Sequence, residues 1–105
     1  MPVTLANETP AQSPARVAKE LADRALALAA AGSWKESAEA NRALLALGDA
    51  VKVEERIEAQ NRLAKCLWEL GDLAGSKKEY QATLALDPLN RIAERNLERL
   101  KGNGP

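Results

Sequence analysis

The sequence predicts an all-α protein of five helices, the first four paired as two antiparallel hairpins that share one template. Three observations carry that reading. Ala (21) and Leu (16) supply about a third of the 105 residues and favour helix, while β-branched residues are scarce. Apolar side chains recur at spacings of three and four. The chain also resembles itself at a shift of 39 positions.

Residues 1–12, with Pro2, Thr4, Asn7, Thr9 and Pro10 and no sustained period, read as a flexible lead-in. Ser13-Pro14 opens the first helix with a capping hydroxyl, followed by a proline whose missing N–H costs nothing there. Leu21, Ala25 and Leu28 share a stripe, and Gly32 ends this helix, about 14–31. Ser33-Trp34-Lys35-Glu36 reads as a capping box in which the Ser33 hydroxyl accepts from the Glu36 amide. The second helix carries Ala38, Asn41 and Leu45 on one face and stops near Gly48. So short a turn forces the two helices antiparallel.

The third helix, with Ile57, Leu63, Ala64, Leu67 and Leu70, starts between Asp49 and Glu55 and stops at Gly71. Charge pairing within Val51-Lys52-Val53-Glu54-Glu55-Arg56 favours extending its start through those residues. Asp72 caps a fourth helix bearing Leu73, Tyr80, Leu84 and Leu86. Asp87-Pro88 ends it and caps a fifth, about 88–101, with Ile92, Leu97 and Leu100; residues 102–105 read as a flexible tail. The helical domain is 13–101, with repeat one about 14–48 and repeat two about 50–87.

Placing Gly32 over Gly71 also places Ala25 over Ala64, Leu28 over Leu67, Ser37 over Ser76 and Leu45-Ala46-Leu47 over Leu84-Ala85-Leu86. The second unit runs through Leu63-Ala64, Gly71-Asp72 and Tyr80 to the closing Leu84-Ala85-Leu86-Asp87-Pro88. In these residues the chain resembles the tetratricopeptide repeat family over about residues 18–100. The first unit departs from the pattern at Arg24, at Asn41 where an aromatic is usual, and at Gly48-Asp49. Ser37 and Ser76 stand where the family favours Ala. The resemblance implies a right-handed superhelical stack, with the fifth helix covering the apolar end that such an array leaves open.

Composition narrows the chemistry. Fifteen basic and fifteen acidic residues leave no general pull on nucleic acid or anionic membrane. An RNA-binding role has only the stripe Arg91, Arg95, Arg99 and Lys101 behind it, without aromatic interleaving. No His and one Cys leave neither the commonest general base nor a thiolate cage. By the resemblance Cys66 falls at a repeat position that usually carries Ala against a neighbouring helix, which implies a buried, inert thiol. With no phosphate-binding loop or calcium-loop spacing, the expectation is a non-enzymatic protein with no metal and no cofactor. Lacking an apolar span or a signal-peptide pattern, it is expected to be cytoplasmic, with no membrane partner.

The family resemblance implies a concave groove, lined by the first helices of successive repeats, that receives a protein or peptide partner. Carried over by position, the lining falls on Ala22, Leu26 and Ala29, then on Asn61, Arg62, Lys65 and Trp68, then on Arg95, Asn96 and Arg99 of the closing helix. Spacing independently puts Asn61, Lys65 and Trp68 on one face and Arg95 with Arg99 on another. Such a groove suits an adaptor or co-chaperone-like scaffold binding a short segment, with Lys65, Arg95 and Arg99 favouring an acidic or C-terminal end. The family's Lys and Asn carboxylate clamp occurs here in reversed order, and Ile92 stands where the clamp has a base. Glu58, Glu69, Glu94 and Glu98 offer the plainer reading, a solvated charged face. Trp68 either meets a partner or packs on the fifth helix; Trp34 is expected to anchor the core after the first turn. The competing function is self-association into a homo-oligomer, another copy covering the groove or an open end.

Overall fold

A computed structural model describes residues 13–103, so the expected lead-in 1–12 and residues 104–105 lie outside the described residues. The described residues are all helical in architecture, without strands: α1 (Pro14–Ala30), α2 (Trp34–Leu45), a 3-10 turn (Gly48–Ala50), α3 (Val53–Glu69), α4 (Leu73–Leu86) and α5 (Arg91–Asn103). Each helix packs mainly on the next, with a smaller contact between α1 and α3.

Ser13 caps α1 by accepting from the Arg16 amide at 3.2 Å. Both hairpins then close with the same turn. Gly32 and Gly71 take left-handed φ values of 78° and 88°, which glycine reaches without a Cβ clash. Their N–H groups donate to Ala29 and Trp68, and the following Ser33 and Asp72 amides donate back to Leu28 and Leu67 at 2.8 Å. Carbonyls left over at the end of one helix are thereby satisfied just as the next begins.

Inside each hairpin a serine ties the second helix to the first. The Ser37 Oγ donates to the Ala25 carbonyl, and Ser76 Oγ to the Ala64 carbonyl, both at 2.7 Å and both buried. Alanine at these sites would leave the helices joined by packing alone.

Four expectations are corrected. Ser33 occupies the N-cap of α2, but its side chain makes no capping bond. At nearly the same backbone angles, the Asp72 carboxylate, one atom longer, does reach the Gly75 amide, at 2.9 Å. Extension of α3 is only partial: Gly48–Ala50 form the 3-10 turn, Val51 is extended, and the helix starts at Val53. Val51 is thereby turned inward against Ala18, Leu44 and Ala59, a burial that favours the break over a longer helix. The start of α5 is capped by Asn90, whose Oδ1 accepts from the Ala93 amide at 3.0 Å, whereas Asp87 turns back to Leu89 and Asn90. At its other end α5 runs through Gly102 to Asn103, one exposed glycine being a small cost in a helix.

The core is a row of three clusters. Ala18, Leu44, Val51 and Ala59 form the first, with Leu21, Ala22, Leu45 and Leu47 against it. Ala38, Leu63, Cys66 and Leu67 form the second, with Trp34 and Leu45. Ala64, Tyr80, Ala93 and Leu100 form the third, with Trp68, Leu73, Leu84 and Leu97. Helix α3 contributes to all three, so its outward face looks across to both α1 and α5.

Candidate functional site

Opposite α3 lies an open cleft of about 370 Å³. Helix α1 supplies Leu26 and Ala29, α3 supplies Asn61, Arg62 and Lys65, and α5 supplies Ile92 and Asn96; Trp34 and Tyr80 complete the lining from α2 and α4. Leu26 and Ile92 are 53% and 57% exposed, unusual for large aliphatic side chains facing one hollow.

Six expected groove residues therefore meet in one place: Leu26, Ala29, Asn61, Arg62, Lys65 and Asn96. Four do not line it. Ala22 packs against the first core cluster and Trp68 against the third, beside α5. Arg95 lines a separate hollow with Leu89, Arg91 and Glu94. Arg99 is exposed, near enough to Tyr80 for its charge to act on the phenol. Trp34 has two surfaces, one on the second core cluster and one on the cleft. The expected lining omits Tyr80, placed on the stripe of the fourth helix, and Ile92, although Ile92 stands at a clamp position of the related pattern. Ile92 stands four before Asn96, so the shared helix face was the available signal.

The polar groups are held unequally. Lys65 Nζ lies 2.8 Å from Glu69 Oε2, so its charge is already paired along its own helix. Asn61 donates through Nδ2 to Asn90 Oδ1 at 3.2 Å, tying α3 to the start of α5, while its own Oδ1 is buried without a partner among the described residues. Asn96 donates back to the Ile92 carbonyl at 2.8 Å. Arg62 reaches across to α2, its Nε donating to Asn41 Oδ1 at 3.0 Å. Burial pulls the Arg62 pKa below the ordinary guanidinium value, and the nearby Glu58 carboxylate opposes the shift.

A larger hollow of about 690 Å³ lies where the α3–α4 turn meets the end of α5, lined by Gly71, Leu73, Lys77, Leu100 and neighbours; no expected groove residue reaches it. Among the described residues no cluster of acidic or thiol groups is arranged to hold a metal ion, and no helix is long and apolar enough to cross a membrane. Comparison with known proteins finds no family model, no curated protein and no solved structure that matches this chain.

Proposed function

We propose that this protein is a non-enzymatic interaction module, a tetratricopeptide-like stack that takes a short peptide segment in the cleft between α1, α3 and α5. The observation that carries the reading is the pair Leu26 and Ile92, both more than half exposed and facing one hollow across α3. Exposed aliphatic walls with a few convergent amides and cations suit a peptide, whose side chains cover the walls while its backbone meets the polar groups. The resemblance in Leu63-Ala64, Gly71-Asp72, Tyr80 and Leu84 to Pro88 supports the same assignment.

Panning a random peptide display library on the protein, followed by anisotropy titration of the enriched peptides, tests it. The double variant Leu26→Asp, Ile92→Asp is expected to weaken binding by about tenfold or more, since apolar anchors dominate such contacts. Both side chains are largely exposed, so circular dichroism should show an unchanged fold. Absence of enrichment, or equal affinity for the variant, overturns the reading. Light scattering over a concentration series distinguishes the competing occupant, a second copy, because that requires a concentration-dependent mass.

A further inference from the structure

Nine residues line the cleft; two are cations and none is acidic. The two cations differ in availability. Lys65 is exposed and shares its charge with Glu69 at 2.8 Å along its own helix, whereas Arg62 makes no ion pair among the described residues. Glu58 is near enough to act on Arg62 through space without closing to ion-pair distance. Neither Nη group of Arg62 has a protein partner, and neither is sealed from solvent without one.

The guanidinium is also fixed. Its Nε is engaged by Asn41 Oδ1, and Asn41, fully buried, donates through Nδ2 to the Ser37 carbonyl at 3.0 Å. Ser37 in turn donates to the Ala25 carbonyl of α1. A line of hydrogen bonds thus runs from α3 through α2 to α1 and holds the guanidinium plane, leaving its two-Nη edge for a ligand. That edge matches a carboxylate, and a half-buried, pre-oriented cation binds one better than a solvated lysine does.

We infer that Arg62, positioned by Asn41, is the acid-recognising group of the cleft, and that the segment bound there carries an Asp or Glu side chain next to an apolar one. This inference rests on the peptide-binding reading above. It also gives Asn41, at the position where the related family has an aromatic, a role in specificity: it positions Arg62 without touching the ligand.

The test takes peptides enriched on the full protein and compares each with its charge-neutral analogue, Glu→Gln or Asp→Asn. Wild type is expected to prefer the acidic form by about tenfold, the usual worth of a charge-assisted hydrogen bond. In Arg62→Gln that preference should fall to about twofold or less, the neutral analogue binding as in wild type. Asn41→Leu, which keeps Arg62 but removes its tether, should lose most of the preference, and a purely structural role for Asn41 would instead weaken both peptides equally. Circular dichroism monitors folding; if Arg62→Gln does not fold, Arg62→Lys, which keeps charge but lacks the planar fork and the Nε tether, repeats the comparison with a smaller fall in preference expected, and an unchanged preference overturns the inference. Peptides that bind, are lost on Leu26→Asp, Ile92→Asp, and show no acidic preference overturn the inference while leaving the cleft reading intact. No peptide enrichment overturns both. An acidic preference that survives in Asn41→Leu removes the positioning role of Asn41.

Discussion

Tyr80 is the chain's single tyrosine, and it serves two structures at once. Its ring packs with Ala64, Ala93 and Leu100, and one edge forms part of the cleft wall. Burial pushes its phenol up to about 12, with the Arg99 cation pulling in the opposite direction. An unfolded tyrosine ionises near pH 10, so between about 10 and 12 the unfolded chain holds fewer protons than the folded one. The stabilisation is complete below about pH 10 and is lost as pH rises through the folded value. An ultraviolet absorbance titration of the folded protein is therefore expected to show one phenol with a midpoint near 12. Denaturant midpoints should decline across the same window, and the decline should be shallower in Tyr80→Phe. A folded-state phenol titrating near 10 would contradict this burial.

Among the elements, α5 depends most on a single residue. Asn90 Oδ1 accepts from both the Ala93 amide and Asn61 Nδ2, so one oxygen starts the helix and fastens it to α3. Asn90→Ala removes the cap and leaves the Asn61 amide without its partner. A loss of about 1–2 kcal/mol in unfolding free energy is expected from the cap and the broken bond together. Hydrogen exchange should speed up first in the opening turn of α5; uniform acceleration across all helices would argue against a local role. This junction also marks the limit of what the sequence discloses. The hairpin turns are legible because Gly32 and Gly71 are local signals, complete within six residues. The α5 cap is not, because Asp87-Pro88 carries an equally good local signal and Asn90 gains its advantage from Asn61, 29 positions away. The groove divides in the same way. Leu26 and Arg62 come from the family resemblance by position, and helical spacing adds only that Asn61 and Lys65 share a face. Whether Trp68, Arg95 and Arg99 face the cleft depends on how α5 lies across α3, which no local pattern encodes. The Asn41 tether to Arg62 likewise joins helices 21 positions apart.

At the scale of the whole molecule, stability is distributed along a row, since the three core clusters share only α3 and neighbouring helices. Packing dominated by successive helices makes the consequences of damage local and directional. The third cluster depends on α5 for Ala93, Leu97 and Leu100, and without them Tyr80, Trp68 and Leu84 lose their cover. A chain cut after Asp87 is expected to lose about 3–5 kcal/mol, the worth of two large buried aliphatic side chains with the apolar surface around them. The first cluster, built from α1, α2, Val51 and α3, keeps every member in that shortened chain. Hydrogen exchange should accordingly rise in α4 and the C-terminal half of α3, with α1 and α2 retaining more of their protection. Near-ultraviolet circular dichroism should lose the contribution of Trp68 and Tyr80, and a dye for exposed apolar surface should bind. A shortened chain that unfolds with the full-length midpoint would mean that α5 is an appendage, and the cleft between it and α1 would lose its third wall as a fixed feature.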